Sequence, residues 1–288
     1  METTRLWDLP VHRASDWIFN CYIVEAGDGV AIVDAGLKST AKAAAEIVQA
    51  LGRDQGDVSV SATHGHSDHV GGMPTLRSRL SASTHLPQRC ERYLQGESPR
   101  RFGLRSMLGF VPMYAQQPFS ASALRQFVGD SKKIGFGSDD AFRFPYAPDA
   151  FLSDGDALPG APDWRVLEVP GHSDDSLCFY HPESETLLSG DAVVTLDGRA
   201  WFNPEWVDAA ASRESEERLR ALPVRRLLPG HGLPISGNVW GRAMSSTTPP
   251  PGRGVLARCA RAFGRWPDCA VPILMSRGAR SAKGVCSS

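Results

Sequence analysis

Residues Thr63 to Gly72 read Thr-His-Gly-His-Ser-Asp-His-Val-Gly-Gly, which places His64, His66, Asp68 and His69 within six positions. Zinc accepts imidazole nitrogen and carboxylate oxygen as ligands at about 2.0–2.2 Å. Residues two apart at the end of a strand point the same way, so His64 and His66 can grip one ion. Asp68 and His69 lie past the turn and can face a second ion beside it. A His-rich solvated loop would carry the same letters, but three more segments share the pattern. Val169-Pro170-Gly171-His172, Leu187-Leu188-Ser189-Gly190-Asp191 and Leu227-Leu228-Pro229-Gly230-His231 each end an apolar run with a glycine and then a metal-type ligand.

Two adjacent divalent ions would make hydroxide available at neutral pH by lowering the pKa of a bridging water. They would also polarise a scissile carbonyl or phosphoryl oxygen. Asp68 is placed to orient the hydroxide and then carry its proton to the leaving group. No Gly-x-Ser-x-Gly elbow occurs, and Gly135-Phe136-Gly137-Ser138 lacks the glycine and lysine that a phosphate loop needs.

The elements that must position these ligands fall into two similar halves. Phe19 to Val24 and Val30 to Asp34 alternate as neighbouring strands, with Ala26-Gly27-Asp28-Gly29 as the turn. Thr40 to Leu51 is an alanine-rich helix, with Ser39 as its cap and Gly52 as its stop. Val58 to Ala62 is the strand that delivers the histidine loop. The second half repeats the order: strands near Trp164–Val169, Ser176–Tyr180 and Thr186–Ser189, a helix near Ser212–Leu222, and the strand Val224–Leu228. Duplicated ββ-α-β units pack sheet against sheet with helices outside.

With these motifs in place, residues 16 to 236 resemble the metallo-β-lactamase fold superfamily, in particular its dinuclear hydrolase branch with a glyoxalase II- or lactonase-like ligand set. The resemblance implies an α/β protein, an αββα sandwich with the metal site at one edge. It further implies that His64, His66 and His172 bind one metal, that Asp68, His69 and His231 bind the other, and that Asp191 bridges them. Asp34 matches the early aspartate that supports the ligand loop. The cofactor expected is zinc, two ions per chain, with iron or manganese as alternatives. The expected reaction is cleavage of a small ester, thioester or lactone. The competing readings are a metal-dependent phosphodiesterase or nuclease, an iron-dependent oxidoreductase of the same fold, and a binder that kept its metals.

Departures from that resemblance are informative. The superfamily's diiron flavoproteins have glutamate where this chain has His66, and the antibiotic-hydrolysing members lack the bridging aspartate that Asp191 supplies. Lactonases place a tyrosine where Val194 stands. After His172 comes Ser173-Asp174-Asp175-Ser176, whose two carboxylates either cap a turn or contact substrate.

The chain has 288 residues, 42% of them hydrophobic, and a net charge of −1. That size suits one large domain, residues 1–243, plus an appendage, residues 244–288. The appendage opens on a Pro-, Gly- and Ser-rich linker and carries a balance of +6, which leaves −7 for the rest. It reads as a solvated, poorly ordered extension, with binding to an acidic partner as the alternative. Absence of a long apolar run argues against a membrane span, and the N-terminus has no apolar signal core. Cys21, Cys90, Cys178, Cys259, Cys269 and Cys286 are scattered without a Cys-x-x-Cys pair, as expected of reduced thiols in a cytoplasmic protein. The partner expected is a small molecule, with little support for nucleic acid; the oligomeric state is open.

An insertion of about residues 86–151 lies between the first ligand motif and His172. It holds Arg89, Arg92, Arg100, Arg101, Arg105, Arg125, Lys132, Lys133 and Arg143, with apolar clusters at Met107-Leu108, Phe110-Val111 and Met113-Tyr114. Such a segment is either a lid that selects substrates or a set of helices packed onto the sandwich. As a lid, its basic bias would suit an anionic group on the substrate and its apolar clusters an apolar portion.

Overall fold

A computed structural model describes residues 1–248 except 28, 54–55, 103–109 and 138–140. Its first sheet has seven strands in sequential order: β1 (Glu2–Arg5), β2 (Val11–Asp16), β3 (Phe19–Ala26), β4 (Gly29–Val33), β5 (Val58–Ser61), β6 (Ser83–Pro87) and β7 (Ala150–Leu152). The second runs β15-β14-β11-β10-β9-β8. Its strands are β8 (Ala157–Leu158), β9 (Ala161–Glu168), β10 (Leu177–His181), β11 (Thr186–Gly190), β14 (Arg226–Pro229) and β15 (Ile235–Ser236), while β12 (Val193–Leu196) and β13 (Arg199–Phe202) form a separate hairpin. The helices are α1 (Lys38–Ala50), α2 (Ser67–Val70), α3 (Met73–Leu80), α4 (Cys90–Leu94), α5 (Val111–Tyr114), α6 (Ala121–Asp130) and α7 (Ala209–Arg220).

Strand alternation builds the layers. Cys21, Ile23, Val30 and Ile32 face outward onto Ala41, Ala44, Ala45 and Val48 of α1. Their neighbours Tyr22, Val24, Ala31 and Val33 face inward and meet Trp164, Val166, Leu177, Phe179, Leu188 and Leu228 of the second sheet. On the far side, Cys178, Tyr180, Leu187 and Leu227 pack with Leu219 of α7. Period-two alternation in the strands and an apolar stripe on each helix thus give an αββα sandwich. The alanines of α1 let that helix lie close on its sheet.

The two halves repeat a topology. β3 and β4 are antiparallel and β5 lies parallel to β4; β10 and β11 are antiparallel and β14 lies parallel to β11. Strand β9 is antiparallel to β10 and therefore runs with β11. The C-terminal ends of β4 and β5 meet one edge, and those of β9, β11 and β14 share an edge of their own sheet. Asp34, His64, His172, Asp191 and His231 all follow those ends.

Helix boundaries differ from the sequence reading. α1 starts at Lys38, and Ser39 is not its cap: its hydroxyl donates to Asp16 Oδ2 at 3.0 Å. Thr40 closes the first turn instead, accepting from Leu37 N at 3.3 Å and donating to Leu37 O at 3.0 Å. α7 begins at Ala209, earlier than Ser212, because Asp208 Oδ1 accepts from Ala210 N at 2.9 Å and Ala211 N at 3.0 Å.

Contacts with the sandwich continue past residue 243. Met244 exchanges backbone hydrogen bonds with the β13 hairpin, Met244 N to Ala200 O and Phe202 N to Met244 O, both 2.9 Å. Its side chain is buried against Val194, Leu196 and Trp201, and Ser245 and Ser246 both donate to Glu216 of α7. Truncation after Ala243 is therefore expected to cost about 2–4 kcal/mol, read by urea unfolding, from one buried methionine and lost hydrogen bonds. An unchanged midpoint would show that these contacts contribute nothing. The extension beyond Thr248, with Cys259, Cys269 and Cys286, lies outside the described residues. Cys21, Cys90 and Cys178 are free and buried. No helix among the described residues is long and apolar enough to cross a membrane.

Candidate metal centre

The seven residues singled out by the sequence converge. Three groups of possible ligands lie with their donor atoms within 4.8 Å of one another: His64, His66 and His172; His64, His69 and Asp191; Asp68, His69 and His231. His64 Nε2 is 2.8 Å and His172 Nε2 3.3 Å from His66 Nδ1. Ligand nitrogens at about 2.0–2.1 Å around one tetrahedral zinc stand roughly 3.3 Å apart. On the other side His231 Nε2 lies 3.2 Å from both Asp68 Oδ2 and Asp191 Oδ2. His69 Nε2 is 3.4 Å from Asp191 Oδ1 and 3.9 Å from Asp68 Oδ2. Asp191 Oδ2 also stands 3.5 Å from His172 Nε2, so this carboxylate reaches both groups.

Contacts behind the ligands fix which nitrogen faces inward. His172 Nδ1 donates to Glu205 O at 2.9 Å and His231 Nδ1 to Ile18 O at 3.1 Å. A carbonyl only accepts, so the inward Nε2 of each neutral ring keeps its lone pair. Asp34 does the same for His69, with Oδ2 3.0 Å from Nδ1, while its Oδ1 accepts Thr63 N at 2.8 Å. Asp34 is buried and holds φ +60, a left-handed backbone that aims its carboxylate back at the loop. Such outer contacts orient metal-binding histidines and raise their basicity.

The loop carrying His64 and His66 is clamped on both sides. Asp175 Oδ2 accepts Gly65 N at 2.6 Å and the Cys90 thiol at 3.2 Å. Across from it Phe136 N donates to Gly65 O at 3.0 Å and Ser67 N to Phe136 O at 3.1 Å. The Gly135-Phe136 segment is thus a short strand-like edge for the ligand loop. Two glycines permit close approach: a Cβ on Gly230 would sit 2.5 Å from Asp191 Oδ1, and one on Gly190, at φ +48, 2.4 Å from Thr63 Oγ1.

Charge separates the two groups. Burial, then the neighbouring imidazoles, drives His64 well below the ordinary histidine range; burial and His172 lower His66 to about 3, and burial lowers His172. Burial also opposes charge on His231 and His69, but there the carboxylates win. Asp191 and Asp68 push His231 up to about 10, and Asp34, Asp191 and Asp68 hold His69 well above its ordinary value. Asp68 is held at about 2: burial would raise it, and His69 and His231 outweigh that. The site therefore demands positive charge. His69 Nε2 and Asp191 Oδ1 are buried without a hydrogen-bond partner, a cost of about 1–3 kcal/mol each that a cation between them would remove. The donor set fits divalent metal.

The insertion contributes what the sequence reading left open. It is stitched to the sandwich at both ends, since β6 and β7 are parallel neighbours. Phe110 and Met113 are buried against Ile18, Phe19, Leu37 and Trp201, so here the packed-helix reading holds. Met107, Leu108 and Arg105 lie outside the described residues. Arg100 is engaged by Asp174, its Nε 2.8 Å from Oδ1, and by Asp208 at 3.2 Å; Arg89 pairs with Glu97. These two cations are spoken for. Of the two extra carboxylates, Asp174 holds the insertion and Asp175 holds the ligand loop. Sequence reasoning missed Glu205, whose backbone orients His172, and Phe102, whose ring lies 4.9 Å from His172 and 5.3 Å from His66. Nothing in their local sequence marks either one.

Residues 16–231 match the family model described as the metallo-beta-lactamase superfamily. The chain is 23% identical to the probable metallo-hydrolase YflN of Bacillus subtilis (strain 168) over 252 residues, 79% of this chain and 85% of that protein. A shorter stretch of 60 residues, 20% of each chain, is 47% identical to a hydroxyacylglutathione hydrolase of Hydrogenovibrio crunogenus. Among solved structures, a metallo-beta-lactamase family protein of Thermus thermophilus superposes with a TM-score of 0.53 at 24% identity, covering 81% of this chain and 76% of that one.

Proposed function

This chain belongs to the metallo-beta-lactamase superfamily, and from that premise we propose that it is a two-zinc hydrolase of small esters, thioesters or lactones. One observation carries the reading: two three-residue donor groups lie side by side with Asp191 reaching into both. In it, His64, His66 and His172 would hold one ion and Asp68, His69 and His231 the other, with Asp191 within reach of both. When bound, the ions would supply Lewis acidity and a water nucleophile at neutral pH. Asp68, whose side chain keeps 14% exposure, is the carboxylate best placed to hold a proton and pass it to the leaving group. Asp34 keeps His69 in the right tautomer, and Asp175 keeps His64 and His66 in register.

Carbonyl substrates suit the surroundings better than nucleic acid. Backbone binding needs a broad track of free Lys and Arg and falls steeply with salt. Arg89 and Arg100 are already paired with carboxylates. The test is metal analysis of purified protein followed by a panel of aryl esters, acyl thioesters and lactones set against bis-aryl phosphodiesters and single-stranded RNA. Two zinc ions per chain and carbonyl turnover with little salt dependence are expected. One iron per chain, or turnover of phosphodiesters alone, overturns the proposal.

A further inference from the structure

Aromatic rings lead outward from the candidate centre on the His231 side. Phe19 and Phe110 both meet the His231 ring edge-on, with centroids 5.5 and 5.9 Å away. Tyr114 packs edge-on against Phe110 at 5.7 Å, Trp17 tilts against Tyr114 at 5.5 Å, and Phe119 meets Trp17 edge-on at 5.1 Å. The inner rings are buried, whereas Tyr114 is 37% and Phe119 63% exposed. The row therefore runs without a break from a metal-type ligand to the surface.

This wall is fastened in place. Trp17 Nε1 donates to Tyr114 O at 3.1 Å, which ties the β2–β3 turn to the end of α5. Gln116 Nε2 donates to Thr195 O at 2.8 Å, and Thr195 N donates to His231 O at 3.2 Å. Rings left exposed at the end of a row that starts on a polar centre offer an apolar surface to an occupant. Burial pushes the Tyr114 phenol up, and the carboxylates of Asp68 and Asp191 act on it too, as they do when a ring stands near the centre.

We propose that Trp17, Tyr114 and Phe119 seat an apolar group of the substrate, an aryl or acyl chain. The inference rests on the hydrolase reading and narrows its substrate class.

The experiment uses the zinc-loaded full chain and two matched sets of ligands. The first set is aryl esters with acyl chains from acetyl to decanoyl. The second is the corresponding non-hydrolysable amides, read by calorimetric binding. In the unmodified protein kcat/KM and amide affinity should rise about two- to fourfold per added methylene over the first several, near the value for a buried methylene. Phe119→Ala and Trp17→Ala should flatten the chain-length slope, chiefly through KM. Phe119 is exposed, so its variant keeps the fold. A flat slope in the unmodified protein, or a slope untouched in Phe119→Ala, overturns the inference. If the amides bind with the expected slope and no ester is cleaved, the hydrolase reading fails and the wall stands.

Discussion

The variant His64→Ala is expected to hold one zinc ion in place of two and to lose on the order of 10³-fold in kcat/KM. His64 belongs to two of the three donor groups, so its loss opens the centre from the middle. The ring is fully buried, and Thr63 Oγ1 stands 3.2 Å from its Nδ1, so alanine leaves a cavity with no substitute donor. Several kcal/mol of charge stabilisation by a metal, at about 1.4 kcal/mol per decade, sets the size of the effect. His231→Ala should behave alike, because it removes the nitrogen that faces both Asp68 and Asp191. His181→Gln is the control: its Nδ1 bonds Ser184 Oγ at 2.8 Å on the far strand β10, away from the centre, and metal content and rate should not move. Metal analysis with steady-state kinetics decides it. Full activity in either site variant would sink the ligand assignment.

Loading the metal-free protein with zinc at pH 7 should release about two protons per chain, and apparent affinity should strengthen roughly 100-fold per pH unit between pH 6 and 8. His69 and His231 are the source. Burial opposes their charge, but Asp34, Asp191 and Asp68 raise the first well above its ordinary value and Asp191 and Asp68 raise the second to about 10. Both therefore carry a proton below pH 8 in the absence of metal, and a bound ion must displace it. His64, His66 and His172 are held below their ordinary values by burial and give up none. The sign follows: raising pH removes the competing protons and favours metal. Calorimetry in buffers of different ionisation enthalpy counts them. Asp34→Asn should cut the release toward one, since Asp34 is the strongest carboxylate influence on His69. A release near zero would show that these histidines are already neutral, and two protons still released in Asp34→Asn would show that Asp34 does not hold the proton on His69.

Much of the centre was readable in one dimension because its chemistry sits at strand ends. A run of alternating or apolar residues, a glycine and a ligand form a local signal, and His64, His66, Asp68 and His69 lie within a single turn and the short helix α2. The sandwich followed for a similar reason: Cys21 and Ile23 must face one way if Tyr22 and Val24 face the other. Local signals erred at boundaries, where tertiary partners competed. Ser39 was free to cap α1 by type, yet Asp16 and Gln126 bind it.

Contacts between distant segments are set by sheet topology, which no local pattern encodes. Asp175 reaches Gly65 across 110 positions, and Trp17 reaches Tyr114 across 97. Their residue types are ordinary, so only the fold distinguishes them. The same holds for charge. Counted along the chain, the insertion's arginines form a basic patch, but Asp174 and Asp208 neutralise Arg100 because the chain folds back on α7. Sequence by itself marked the candidate ligands and the layers that carry them, since each depends on neighbours a few residues away. Tertiary structure alone decided what clamps the loop of His64 and His66 and what pairs with the insertion's arginines, since each depends on segments that meet only when two sheets close over one core.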